Sequence, residues 1–250
     1  MSSSVAFLCK KDQWKNPSQV LAKQLNLHLI FKEDKKYTAF LYLDELGFLD
    51  VYLPSWGGSK SLGLDFSDNK KEQFKKKAWS LKSLLPRALG LDKKIVSVLD
   101  ITAGFCEDSF ILTSLGIKVS AVEQSKTIVS LVTAALQKTT RSSEFVLIGK
   151  NSLNYMQNLI DTNQRPPVIY MDPMFEISSR KALSNKSMQV LQVLEPYTEG
   201  LKEKNVLLLN QALACASERV VLKRHKKTPS LKKPNYILEG KLVRYDVYLV

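Results

Sequence analysis

Over its first third, the chain places apolar residues in short β-like runs at Val5–Leu8, 38–43 and 49–53. A helix is expected between the first two, beginning near Pro17 in Pro-Ser-Gln-Val-Leu-Ala-Lys-Gln-Leu, and Ser55-Trp56-Gly57-Gly58-Ser59 reads as a turn. Over 70–90, Phe74, Leu81, Leu84 and Leu85 recur at helical spacing, which predicts a basic helix. Beyond Lys94 the pattern becomes a regular alternation. Buried-strand runs at 95–100, 118–123, 144–148, 167–172 and 219–223 are separated by helical stretches at 108–115, 125–138, 152–160 and a pair over 185–217. Short β-branched runs alternating with helices predict βαβ units and a parallel sheet. Two last runs, 236–238 and 242–250, predict an antiparallel hairpin closing that sheet. The expected fold is α/β, a doubly wound, mostly parallel sheet with a C-terminal antiparallel hairpin. A small N-terminal α+β subdomain over 1–69 and a basic connecting helix over 70–94 precede the main domain at 95–250.

Composition narrows the class. At 250 residues and 28.3 kDa, with 44% hydrophobic and 24% charged residues, the chain can bury a core and is not a disordered one. Cys9, Cys106 and Cys215 lie far apart with no Cys-x-x-Cys pair, so neither a disulfide framework nor a zinc site is readable, and no metal is expected. No apolar run approaches the roughly 18 residues of a membrane span, and the opening segment lacks the basic start of a secretory signal. A soluble cytoplasmic protein with reduced thiols is expected.

Charge changes the picture more. The net charge is +13. Residues 70–94 hold nine Lys/Arg against two acids, and 219–244 hold nine against one, which leaves the rest of the chain near neutral. Two basic patches on such a body point to a polyanion, nucleic acid before membrane, with a lysine-rich solvated surface as the alternative. Lys75, Lys76, Lys77 and Lys82 in the first window, and Lys223, Arg224, Lys226 and Lys227 in the second, are the candidate contacts to nucleic-acid phosphates. The predominance of lysine favours loose phosphate contact over bidentate base reading.

Ligands of such sheets bind beyond the carboxyl ends of the strands. After the run at 95–100 comes Asp100-Ile-Thr-Ala-Gly104-Phe-Cys-Glu-Asp108, where Gly104 allows a tight turn and close approach of a ligand. The single glycine lacks the G-x-G-x-x-G spacing that a pyrophosphate needs, which favours a nucleoside cofactor over a dinucleotide; an ordinary βα turn is the alternative. Glu123, nineteen positions on, is placed either to accept from both ribose hydroxyls or to precede a helix as an N-terminal acid. After the third run, Asn151 and Ser152 could grip an adenine edge or cap a helix, and capping is the expectation for Ser152. The fourth run ends in Asp172-Pro173-Met174-Phe175. This tetrad resembles the Asp/Asn-Pro-Pro-aromatic signature of methyltransferases acting on exocyclic amines. Such an amine is a poor nucleophile because its lone pair is delocalised into the ring. Acceptors at its N–H bonds, the Asp172 carboxylate and a carbonyl near Pro173, would draw it towards tetrahedral geometry, while Phe175 would stack on the base. The two histidines, His28 and His225, sit away from these strand ends and offer no general base.

Together these residues resemble the bacterial ribosomal RNA small subunit methyltransferase J family. The resemblance rests on Asp-Ile-Thr-Ala-Gly-Phe-Cys-Glu-Asp-Ser-Phe at 100–110, Tyr-Met-Asp-Pro-Met-Phe at 170–175, Lys181-Ala-Leu with Met188-Gln-Val, and Arg219-Val-Val-Leu-Lys-Arg224. It covers 95–250 and is thin before Lys70. It implies a Rossmann-like class I methyltransferase fold and S-adenosylmethionine as cofactor. The implied activity is methylation of the N2 amine of a guanine in 16S ribosomal RNA, with that RNA or the small ribosomal subunit as partner. By position, cofactor contacts would fall on Glu107, Asp108, Glu123, Gln124, Asn151, Ser152 and Asp172, beside the Asp100–Gly104 loop; Asp172, Pro173 and Phe175 would handle the base. The family pattern has Arg-Asp where this chain has Glu107-Asp108, Glu-Arg where it has Glu123-Gln124, and a glycine-rich basic run where it has Ala78-Trp-Ser-Leu-Lys82. Two other readings stay open: a methyltransferase-fold protein modifying another amine in DNA, RNA or protein, and a non-catalytic RNA-binding relative.

Overall fold

The computed structural model describes residues 4–57, 60–67, 80–91, 97–139, 144–174, 185–196 and 200–250. Lys75, Lys76, Lys77 and Phe175 lie outside the described residues. The chain packs as two units, one made of 1–66, 125–140 and 179–197, the other of 67–124, 141–178 and 198–250.

In the first unit, β1 (Val5–Leu8) runs parallel to both β2 (His28–Ile30) and β3 (Ala39–Leu43), and β3 turns into antiparallel β4 (Leu49–Tyr52), giving the order β2-β1-β3-β4. Strand β2 is not legible as a run: it has three residues, is partly exposed, and exists through its pairing of Ala6 with His28. Helix α1 (Lys15–Gln24) starts before Pro17, which the first turn tolerates because its N–H groups lack intrahelical acceptors. At the β3–β4 turn Asp44 Oδ1 accepts from the N–H groups of Leu46 and Phe48. Gly47 there has φ +83°, and a Cβ on it would stand 2.7 Å from the Trp14 ring, so the position requires glycine. Ala6, Leu8, Tyr37, Phe40 and Tyr52 form the core of this unit.

In the second unit, α2 (Leu84–Leu89) precedes a seven-stranded sheet. Its strands are β5 (Ser97–Asp100), β6 (Lys118–Glu123), β7 (Phe145–Gly149), β8 (Val168–Met171), β9 (Arg219–His225), β10 (Tyr236–Glu239) and β11 (Val243–Leu249). The order is β10-β11-β9-β8-β5-β6-β7: the first five in sequence are parallel, and β11 joins β9 antiparallel, with β10 outside it. The chain builds β5, β6 and β7 outwards, then returns to place β8 on the other side of β5. The order therefore reverses between β5 and β8, where such sheets bind ligands.

Period-two alternation sorts this sheet's residues onto two cores. Val98, Tyr170, Val221, Tyr245 and Val247 face one core with Leu85 and Leu89 of α2 and Leu112 of α3 (Glu107–Ser114). Leu99, Ile169, Met171, Val220 and Leu222 face the other, with Met156 of α5 (Ser152–Asp161) and Leu209 and Cys215 of α7 (Leu201–Cys215). Among the described residues helices α4 (Lys126–Gln137) and α6 (Lys186–Leu194) complete the set, both within the first unit. There α4 packs on β4, and Gln189 of α6 accepts a 2.6 Å hydrogen bond from Trp56 Nε1. In the hairpin, Arg244 Nε donates to the fully buried Asp246 at 2.7 Å, and Arg244 reaches Lys226 O and Ser230 Oγ. Among the described residues no helix is long and apolar enough to cross a membrane.

Candidate active site at the strand ends

The turn after β5 is built from two residues in the left-handed region, Gly104 at φ +52° and Cys106 at φ +59°. It delivers the Gly104 N–H to Glu123 Oε2 at the end of β6, at 2.9 Å. Beneath the turn, Asp100 is buried, accepting from Ser109 Oγ at 2.6 Å and from the Thr102 N–H at 3.1 Å. Burial outweighs those two hydrogen bonds, and with Asp108 and Asp172 nearby it pushes the Asp100 carboxyl up to about 7. The sequence places Asp100 among the cofactor contacts; with both oxygens engaged below the loop it braces the turn instead.

At the end of β7, Asn151 caps α5, its side chain accepting from the Asn154 N–H. Ser152, the expected cap, does not take that part. It is the first helical residue, and its hydroxyl donates to Ile101 O at 2.6 Å, tying α5 to the end of β5. Asn151 Nδ2 donates to Gln124 Oε1 at 2.9 Å, so the ends of β6 and β7 are joined by side-chain amides. Glu107 and Asp108 occupy the first turn of α3, where its N-terminal dipole favours acids.

Asp172 follows β8. Its backbone N–H donates to Thr102 Oγ1 at 2.6 Å, which fastens it to the β5 turn, and its Oδ2 lies 2.9 Å from Lys223 Nζ. The same ammonium lies 2.8 Å from Asp108 Oδ2, which also accepts 2.6 Å from the Tyr170 hydroxyl. Register explains the meeting: Met171 pairs with Leu222, so one residue further on Asp172 and Lys223 are neighbours. Burial, opposed by Lys223 and reinforced by Asp108, moves the Asp172 carboxyl up to about 6. Burial would depress the Lys223 ammonium, but Asp108 and Asp172 more than offset it and hold it above its ordinary value. Pro173 is buried, and the next carbonyl, of Met174, accepts from buried Asn205 at 3.1 Å, so the backbone after Asp172 is anchored as well.

The structure brings Gly104, Asp108, Glu123, Gln124, Asn151, Ser152, Asp172 and Pro173 to the carboxyl ends of four adjacent strands. Thr102 and Tyr170 stand inside the strand-end motifs and Asn205 outside them, but the sequence assigns none of the three a role, because each acts through a partner set by tertiary packing. The second basic window divides. Lys223 is engaged with carboxylates inside the site, and Arg224 is only 3% exposed, so neither presents itself to a backbone phosphate. Lys226 and Lys227 are exposed, Lys226 pairing with Glu239 at 2.9 Å, and Lys82 is exposed too.

The donor set fits an adenosyl cofactor. A one-glycine turn offers no second cradle for a pyrophosphate, an acid stands at the next strand end for a ribose diol, and amides follow for a purine edge. Comparison with known proteins agrees. The family described as putative SAM-dependent methyltransferase matches residues 21–250. Ribosomal RNA small subunit methyltransferase J from Nitrosococcus oceani is 33% identical over 211 residues, covering 80% of each chain. The protein of that name from Thioalkalivibrio sulfidiphilus is 32% identical over 243 residues, 93% of this chain and 92% of that one. The crystal structure of a SAM-dependent methyltransferase from Neisseria gonorrhoeae shares the fold, with a TM-score of 0.72 and 24% identity over 98% of this chain and 96% of that one. A donor set suited to S-adenosylmethionine, on a chain matched along nearly its whole length, places this protein in the ribosomal RNA small subunit methyltransferase J family of S-adenosylmethionine-dependent methyltransferases.

Proposed function

We propose that this chain methylates the exocyclic N2 amine of a guanine in 16S ribosomal RNA, in the cytoplasm, where ribosomal subunits are found. The observation that carries the reading is Asp172-Pro173 at the end of β8, with Asp172 held from both its backbone and its carboxylate. When bound, S-adenosylmethionine supplies a methyl on a sulfonium and leaves as the neutral thioether once the carbon–sulfur bond breaks. Glu123 would accept from the ribose hydroxyls, with Gln124, Asn151 and Ser152 towards the adenine. Asp172 would accept from the amine N–H and orient the nitrogen lone pair along the line of transfer. The nitrogen forms its new bond to carbon, and the proton it then sheds passes to water, so no base of high affinity is required. Phe175, outside the described residues, is assigned the face of the base, which must leave its stack to reach the strand ends. We assign methyl transfer to residues 95–250. RNA phosphates would be met by the basic stretch within 70–94, with Lys75, Lys76, Lys77 and Lys82, and by Lys226 and Lys227.

Small subunits from cells lacking their own N2-guanine methylation, incubated with the protein and labelled S-adenosylmethionine, test this. Digestion to nucleosides should yield labelled N2-methylguanosine from 16S RNA. Label in another nucleoside, or none with a protein that binds S-adenosylhomocysteine, would reject the reading.

A further inference from the structure

Lys223 stands in the wrong place for a phosphate contact and the right place for another task. Its side chain is 22% exposed, and its ammonium lies between Asp108 Oδ2 at 2.8 Å and Asp172 Oδ2 at 2.9 Å. The far side of Asp108 Oδ2 is taken by the Tyr170 hydroxyl at 2.6 Å. The chain Tyr170–Asp108–Lys223–Asp172 thus crosses from α3 to β9 to the end of β8, and every link is a charge-assisted hydrogen bond.

We propose that Lys223 is a positioning residue for methyl transfer: it clamps Oδ2 of Asp172 against Oδ2 of Asp108 and so leaves Oδ1 of Asp172 facing the acceptor amine. The proposal rests on the reading of Asp172 as the acceptor for the amine N–H.

Two observations support it. First, Asp172 is fixed at both ends, its N–H on Thr102 Oγ1 and its Oδ2 on Lys223. Among the described residues Oδ1 makes no hydrogen bond, and the side chain is 38% exposed, so that oxygen is available to a ligand. Second, the protonation state matters. A carboxylate accepts from an amine N–H, whereas a carboxylic acid offers a donor and repels the same hydrogen. The titratable groups facing Asp172 are Asp108 from α3, Asp100 from β5, Tyr170 from β8, Lys223 from β9 and Tyr245 from β11. The tyrosines stay neutral, because burial and the carboxylates raise both. That leaves three carboxylates crowding one strand end, with Lys223 as the cation among these groups that opposes protonation of Asp172. Phosphate binding by Lys223 would require breaking both ion pairs.

The test compares Lys223→Met, which keeps the length and removes the charge, with Lys223→Arg, which keeps the charge. Methyl transfer to small-subunit RNA is followed against pH, with kcat and KM separated. The wild type should show an acid limb near pH 6, activity rising as Asp172 ionises. In Lys223→Met the limb should move up by about two pH units and kcat at pH 7 fall about tenfold, with KM for RNA within twofold. Lys223→Arg should restore the limb. A raised KM with kcat and limb unchanged would overturn the proposal and return Lys223 to phosphate binding. A substrate-free reading runs in parallel: carboxyl carbon NMR of aspartate-labelled protein, with Asp172→Asn assigning the resonance. If the wild type methylates no guanine in small-subunit RNA, the functional reading fails and the NMR midpoint alone decides. A midpoint unmoved by Lys223→Met overturns the clamp; an upward shift reversed in Lys223→Arg sustains it.

Discussion

Replacing Glu123 separates its two tasks. In the structure its Oε2 accepts the Gly104 N–H at 2.9 Å, which holds the turn after β5 in its left-handed conformation. In the proposed complex the same carboxylate accepts from the ribose diol. A hydrogen bond to a charged group contributes about 1.5–3 kcal/mol. Loss of one such bond in Glu123→Ala should weaken binding of S-adenosylhomocysteine by about 10- to 150-fold, since about 1.4 kcal/mol is a factor of ten. Loss of the second ribose bond pushes the result to the upper end. Glu123→Gln keeps an oxygen for Gly104 but removes the charge, so its loss should be the smaller. The stability cost of either should be slight, because the partly exposed Gly104 N–H can turn to water. Calorimetry with S-adenosylhomocysteine reads the affinity, and a thermal melt confirms folding. A folded Glu123→Ala variant that binds within threefold of wild type would refute the ribose role and leave Glu123 as a brace for the turn alone.

Three further outcomes follow from the structure. Asp100 holds its proton more tightly folded than unfolded, its carboxyl lying at about 7 against an ordinary value of 3.8, so its contribution to stability is complete at low pH and is lost as pH rises towards 7. The melting temperature of Asp100→Asn relative to wild type should therefore climb between pH 4 and about 7, and a constant difference would contradict the assignment. Arg244→Ala strands the buried carboxylate of Asp246 and should cost about 3–5 kcal/mol in chemical denaturation, against under about 1 if the pair were an ordinary surface one. Neutralising the exposed Lys226 and Lys227 should reduce the slope of log affinity for single-stranded RNA against log salt by about 0.7 for each phosphate no longer neutralised; an unchanged slope would make them solvated surface only.

The sheet is legible in the sequence because both its faces are buried, so neighbours such as Val98 and Leu99, or Val220 and Val221, have to be apolar together and stand out as runs. The strand-end motifs are legible for the same reason, since each polar residue interrupts such a run. What stays hidden depends on choices of a single residue or on pairing across the sheet. Asn151 rather than Ser152 caps α5 because Ser152 already lies inside the helix as its first residue. The basic window at 219–244 hides more, because a count of charges carries no face. Within β9, Val221 and Lys223 share one side of the sheet, and Val220, Leu222 and Arg224 share the other. At the carboxyl end the first side opens onto Asp108 and Asp172, and Lys223 finds carboxylates there. The second side meets Arg244 and Asp246 of β11, and Arg224 is buried beside them. Lys226 lies past the end of β9 and reaches solvent. Three cations within four positions thus take three roles, and only the last is placed to meet a phosphate. The net charge therefore overstates the surface open to a phosphate, and part of the excess in this window lies in ion pairs at the strand ends and in the core.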